Sequence, residues 1–290
     1  MPRPLPTLRL GPVGLVLVGI VSVQVGAAIA KDLFGSISPT ALVWLRLFFS
    51  AVVLALIARP RLVGRSRSDW LVVLGFGLSL GGMNWAIYQS FARIPLGIAV
   101  TLEFVGPLAL ALLGSRRRRD FAWVGLAAAG VLLLGFERSD LDPLGVAFAL
   151  LAGGCWASYI LLSASTGRRW PGFDGLTVAS IVAAALITLP AILSGGTTLL
   201  EPRVLAIGAL VGLLSSVVPY CCELVALRTI RPALFGVLMS LEPAAAALAA
   251  IVVLGELLAP VQWVAVACVV AASIGATRSS APLHTEPAPD

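Results

Sequence analysis

Ten apolar stretches, each long enough to cross a bilayer and joined by short loops, constrain this chain more than any motif in it. A span needs roughly twenty mostly apolar residues. Candidates run Val13–Lys31, Thr40–Ala58, Trp70–Ala92, Leu96–Gly114, Phe121–Phe136, Leu144–Ser163, Gly175–Ser194, Val204–Leu227, Ala233–Leu254 and Pro260–Thr277. Little of the 290 residues is left for a soluble domain, and 59% hydrophobic against 12% charged residues lies far outside the soluble range. The expected fold class is an all-α integral membrane protein. Phe121–Phe136 is the shortest span and requires local thinning of the bilayer or snorkelling of its flanks.

The net charge of +6 is distributed by topology and not as a patch. Fifteen of the twenty basic residues lie at the two termini or in every second loop, among them Arg59, Arg61, Arg65 and Arg67, the run Arg116–Arg119, and Arg168 with Arg169. Cytoplasmic loops are enriched in Lys and Arg, which places those loops and both termini inside. The Arg116–Arg119 run is then a juxtamembrane anchor that meets anionic lipid, and no nucleic-acid partner is expected. Arg3 and Arg9 ahead of an apolar run ending Ala28-Ile29-Ala30 imitate a secretory signal, but cleavage there would break the charge alternation, so an uncleaved first helix is expected. Cys155, Cys221, Cys222 and Cys268 fall inside spans as small packers, and the Pro- and Ser-rich residues 279–290 lack the apolar surface to fold.

The only histidine, His284, lies in that tail, which removes Ser-His dyads and His-ligated metals from the membrane domain. The single lysine, Lys31, sits in no phosphate-binding glycine loop. No enzyme, no cofactor and no metal site is expected, and any transport must follow a gradient.

Ten spans divide into five plus five, and an odd number per half makes the second half enter from the opposite face. A shift of 136 residues lays Leu102 on Leu238, Pro107 on Pro243 and Leu112 on Leu248. Inverted repeats of this kind are a hallmark of secondary transporters, with the substrate near the midplane between the halves. The expected units are 1–138 and 139–278, followed by the tail.

The segments Ser79–Asn84 (SLGGMN), Pro95–Val100 (PLGIAV), Leu102–Phe104 (LEF), Gly106–Ala109 (GPLA), Gly154–Tyr159 (GCWASY), Pro219–Glu223 (PYCCE) and Phe235–Pro243 (FGVLMSLEP) together resemble the threonine/homoserine exporter branch of the drug/metabolite transporter superfamily, the EamA-type carriers. The resemblance spans nearly the whole chain, and the run from Ser79 to Ala109 is its most specific part. It implies ten helices in two inverted five-helix repeats, and a multi-pass carrier of the bacterial inner membrane that exports small amino acids. Cys221 and Cys222 depart from the sulfur-poor pattern expected beside Tyr220.

An ionisable group inside a span costs at least a few kcal/mol on insertion scales, so each one needs a reason. Glu103 lies about 10 Å below the membrane surface at 1.5 Å per residue, in a helix interrupted by Gly106-Pro107. It can supply the anion for a substrate ammonium or pair with Arg46 or Arg93. Arg46, permanently charged and able to bind two oxygens at once, suits a substrate carboxylate or a buried pair that holds helices together. Glu242 precedes Pro243, which frees a backbone carbonyl for a ligand or a hinge. Glu223 is placed to form a gate or interfacial ion pair with Arg228. Gln24, Asn84, Tyr88, Trp156, Tyr159 and Tyr220 are uncharged groups suited to lining a polar cavity. Lys31 is expected to pair with Asp32, while Gly77 with Gly81, Gly208 with Gly212, and Gly26 with Ala30 form small faces for close helix approach.

The reading is a proton-coupled exporter of small amino acids. Its rivals are a carrier of the same fold for a drug or another metabolite, and a non-transporting scaffold, against which charges in the lipid core argue. The sequence sets no oligomeric state.

Overall fold

The computed structural model describes residues 11–113, 120–136, 141–227, 229 and 232–279, and among them every regular element is a helix. The helices are α1 (Pro12–Asp32), α2 (Pro39–Ala58), α3 (Arg67–Phe91), α4 (Leu96–Glu103), α5 (Val105–Leu113), α6 (Asp120–Phe136), α7 (Pro143–Arg169), α8 (Asp174–Gly195), α9 (Pro202–Gly212), α10 (Val218–Leu227), α11 (Pro232–Met239), α12 (Glu242–Ala249) and α13 (Pro260–Ser279). Widened π-turns, Leu213–Val217 and Ala250–Leu254, join α9 to α10 and end α12. Seven helical segments are long and apolar enough to cross a membrane, and three shorter apolar helices, Leu96–Leu110, Phe121–Leu133 and Pro260–Gly275, accompany them.

Local chemistry sets the ends. Proline occupies the first turn of α1, α2, α7 and α9, where its missing N–H is no loss. Ser38 and Asp142 accept from backbone amides at the starts of α2 and α7, and Ser66 with Asp69 closes a reciprocal capping box on α3. α2 ends at Arg59 in the left-handed region, with φ 49°.

Two of the expected spans are interrupted. The stretch Leu96–Gly114 breaks at Phe104 between α4 and α5, and Ala233–Leu254 breaks at Ser240–Leu241 between α11 and α12. Moving α4 along the chain by 136 residues gives the bounds of α11, and the same shift carries α3 to within one residue of the α9–α10 bounds and α2 to within one residue of α8. The breaks coincide with Gly106-Pro107 and Glu242-Pro243, as expected where a proline removes an i→i−4 hydrogen bond.

The outside of the bundle exposes large apolar side chains, including Leu56 at 70%, Leu193 at 78% and Val252 at 83%. Such a continuous apolar exterior suits lipid and not water. Inside, small residues bring helices together: Gly77 and Gly81 of α3 lie against Ala179, Val182 and Ala183 of α8, and Gly208 and Gly212 against Leu45, Arg46 and Phe49 of α2. The tightest crossing lies elsewhere, at Gly106 of α5 and Gly153 of α7, where a methyl on Gly106 would land on the Gly153 carbonyl.

At the end of the bundle that carries the α2 C-terminus, Arg65 and Arg169 are tied down. Arg65 approaches Asp174 at 3.8 Å and stands 4.5 Å over the Trp170 ring, while Arg169 approaches Asp69 at 3.3 Å. At the opposite end Lys31 does not pair with its neighbour Asp32. Its ammonium lies 2.5 Å from Glu256 and donates to the Ile94 carbonyl at 2.8 Å, because the α1 terminus points across the bundle towards the α12–α13 connection.

Candidate functional site

The two helix breaks and the π-turn after α9 meet at one cavity of about 140 Å³. An engineered cavity of ~150 Å³ holds a benzene-sized molecule, so the space suits a small metabolite. Its wall joins Gln24 of α1, Arg46 of α2, Glu103 at the end of α4, Trp156 and Tyr159 of α7, Tyr220 and Glu223 of α10, and Glu242 at the start of α12. Eight side chains singled out from the sequence therefore share one wall, although they come from six helices. The apolar part of the lining is formed by Val23, Ala27, Met83, Ile87, Phe91, Val100, Pro219 and Met239.

Asn84 and Tyr88 are not in that wall. Met83, Ile87 and Phe91 repeat at four-residue spacing and share one face of α3. Asn84 and Tyr88 sit one residue further on, roughly 100° around the helix. Asn84 donates to the Leu80 carbonyl at 2.8 Å, and Tyr88 is fully buried against Phe34 and Phe91. Tyr88 still touches the site indirectly, since its ring faces the Arg46 guanidinium at 5.7 Å. The pairing of Glu223 with Arg228 falls outside the described residues.

Arg46 is 7% exposed and has no carboxylate partner among the described residues. Its Nε donates to the Ser216 hydroxyl at 3.2 Å and its Nη2 donates to the Ser215 carbonyl at 2.8 Å. Hydrogen bonds to a charged group contribute about 1.5–3 kcal/mol each. Two of them are comparable to the ~2.5–3.5 kcal/mol that inserting an arginine at mid-membrane costs on translocon scales. The charge is thus held in place without being neutralised.

The π-turn also anchors its neighbours. Ser22 of α1 donates to the Leu214 carbonyl at 2.7 Å, and Ser50 of α2 donates to the Gly212 carbonyl at 3.4 Å. Gly26 of α1 lies directly against the Ser215 hydroxyl, which a larger side chain there would have to displace. Ser215 and Ser216 were not singled out from the sequence. The signal was Pro219: it has no N–H, so the carbonyl four residues earlier, that of Ser215, loses its helical donor.

None of Glu103, Glu223 and Glu242 forms an ion pair among the described residues. Arg93, weighed as a partner for Glu103, instead approaches Asp142 at 3.7 Å. Glu103 is 9% exposed and its neighbour Phe104 packs edge-on against Trp156 with centroids 5.1 Å apart, which fixes the aromatic beside the carboxylate. Tyr159 packs on Phe76 at 5.0 Å. The cavity therefore offers one fixed guanidinium, three carboxylates and several neutral donors, a set able to hold a small zwitterion and to exchange protons.

Comparison with known proteins adds to this picture. The pattern of the EamA-like transporter family matches residues 143–278. The chain is 40% identical over 269 residues to the threonine/homoserine exporter RhtA of Escherichia coli (strain K12), covering 92% of this chain and 91% of that protein. It is 40% identical over 272 residues to the protein of the same name from Salmonella typhimurium (strain LT2), with the same two coverages. A solved crystal structure 20% identical to the chain superposes with a TM-score of 0.62, covering 92% of this chain and 97% of that one, and bears on the fold alone.

Proposed function

This chain belongs to the EamA-like transporter family, and from that premise we propose that it is a secondary exporter of small amino acids, threonine and homoserine first, which works by proton antiport. The observation that carries the reading is the cavity in which Arg46 shares a wall with Glu103, Glu223 and Glu242. An amino acid presents an ammonium and a carboxylate. Arg46 is the cation for the carboxylate, and Glu103 and Glu242 are the candidate anions for the ammonium. Gln24, Trp156, Tyr159 and Tyr220 supply neutral contacts. Glu223, nearest the cytoplasmic end of its helix in the proposed orientation, is the gate residue of this scheme, with Arg228 as its partner.

The architecture that goes with this function is ten spans in two inverted five-helix repeats, residues 1–138 and 139–278. The three shorter apolar helices complete the seven long ones. The constant offset of 136 residues between α2, α3 and α4 and their counterparts supports the repeat. Both termini are assigned to the cytoplasm of a bacterial inner membrane, in line with the alternation of arginines. Rocking of one half against the other would expose the cavity to either side in turn.

Proton coupling is favoured by the surplus of carboxylates. A zwitterion needs one anion, and this wall has three beside a single guanidinium. A carboxylate that binds H⁺ and ammonium in alternation exchanges one for the other with a single group. Uptake of radiolabelled threonine into inside-out vesicles, with and without an imposed pH gradient, tests the proposal. Uptake that requires protein and rises with the gradient supports it, and absence of threonine uptake overturns it.

A further inference from the structure

The hydrogen bonds around Arg46 select one edge of its guanidinium. Arginine has five N–H donors in a planar fork. Nε–H and one Nη2–H, which lie on the same side, are taken by the Ser216 hydroxyl and the Ser215 carbonyl. The remaining edge, Nη1 with the second Nη2–H, is the other geometry in which arginine grips a carboxylate through two parallel bonds. Both acceptors come from the π-turn Leu213–Val217, and the carbonyl is available because Pro219 cannot donate to it. Ser216 is 2% exposed and is not part of the cavity wall, so it reaches a bound molecule only through Arg46.

We propose that the π-turn is a positioning element for carboxylate recognition. Ser216 and the proline-freed Ser215 carbonyl hold the side edge of Arg46 so that its end edge faces the cavity, which makes Ser216 and Pro219 determinants of selectivity for substrates with a free carboxylate. The inference rests on the proposal that Arg46 meets the substrate carboxylate. It goes further in naming Ser216, which lies outside the cavity wall, and Pro219, which acts through the carbonyl it frees, and in predicting which substrates their loss affects. A guanidinium released from this cradle regains side-chain freedom that must be lost again on binding, so the defect falls on affinity and not on the rate of the transport cycle.

The experiment measures transport of threonine and of threoninamide, which lacks the carboxylate, by protein reconstituted in liposomes. Ser216→Ala is expected to raise the half-saturating threonine concentration up to about tenfold, the cost of re-immobilising one long side chain on binding, with the maximal rate retained and any threoninamide transport unchanged. Ser216→Thr, which keeps the hydroxyl, restores the wild-type value, and Pro219→Ala, which returns a donor to the Ser215 carbonyl, repeats the carboxylate-specific loss. Equal weakening of threonine and threoninamide, or no effect of Ser216→Ala, overturns the proposal. A second readout is independent of substrate: phenylglyoxal modification at Arg46, followed by mass spectrometry, should be severalfold faster in Ser216→Ala than in wild type. If wild-type protein moves no threonine, the transport reading fails, whereas unchanged modification of Arg46 in Ser216→Ala overturns the cradle itself.

Discussion

The Lys31 ammonium and the Glu256 carboxylate meet at 2.5 Å, and the second oxygen of Glu256 accepts from the Leu96 amide at 3.0 Å. One carboxylate thus joins the end of α1, the start of α4 and the connection ahead of α13. The first two of these continue into the cavity wall at Ala27, Val100 and Glu103. A contact that holds them together is placed to close one end of the cavity, and under the proposed alternating access it would open once per cycle.

Covalent closure of this corner should therefore stop transport. In a background with the four native cysteines replaced, Lys31→Cys with Glu256→Cys is expected to cross-link on mild oxidation and to lose threonine efflux, with recovery on reduction. The 136-residue offset places Asp120 at the position matched to Glu256, and Arg168 within one residue of that matched to Lys31. Arg168→Cys with Asp120→Cys is accordingly expected to cross-link in the opposite state of the cycle. Full efflux from protein cross-linked between positions 31 and 256 would show that the corner is a fixed joint and not a gate.

The crossing of α5 and α7 makes a second prediction. Gly106→Ala sets a methyl against the Gly153 carbonyl, whereas Gly154, one residue further along α7, has open space where its Cβ would be. Overpacking of this kind costs roughly 1–3 kcal/mol, more than the ~1 kcal/mol that Ala gains over Gly in a helix. Gly106→Ala should lower the unfolding temperature in detergent and reduce transport, while Gly154→Ala should leave both near wild type. Equal behaviour of the two variants would argue against so tight a crossing.

Much of this was legible in the sequence, and the exceptions have physical causes. The seven long spans follow from apolar run length, and the helix breaks follow from Pro107 and Pro243, because both signals are local in the chain. The charged wall was readable because Arg46, Glu103 and Glu242 are too costly in a bilayer to be there without a reason. Asn84 and Tyr88 lie outside the wall, and since neutral polar groups are cheap to bury on either face of α3, polarity alone does not fix the register. The partner of Lys31 was missed because nothing local distinguishes Asp32 from Glu256. The two serines that hold Arg46 are unremarkable as residues, and only the missing N–H of Pro219 marks the carbonyl they surround.

Orientation has a direct measurement. With the arginine-rich loops inside, a cysteine at Ser66 should be protected from impermeant thiol reagents in intact cells and one at Asp142 should be labelled. Ser66 caps α3 beside the Arg65 and Arg169 ion pairs, and Asp142 caps α7 beside Arg93, so the two positions report opposite ends of the bundle. Labelling of Ser66 and protection of Asp142 would reverse the assignment and, with it, the direction of export.

The proposed proton coupling is tested by separating the carboxylates by role. Glu103 ends α4 and Glu242 starts α12, and neither has an ion-pair partner among the described residues, so replacing either by glutamine removes a titrating group without stranding a paired cation. Both Glu103→Gln and Glu242→Gln should therefore reach the membrane in near-normal amounts, because the cost of an abandoned charge does not arise. What they should lose is exchange. In proteoliposomes with a pH-sensitive dye inside, threonine added to wild-type protein should drive proton movement, and the residue that carries the proton is the one whose glutamine variant still binds threonine but moves no protons. Threonine transport that is insensitive to pH and survives both substitutions would leave a facilitator, through which excess amino acid leaves down its own gradient.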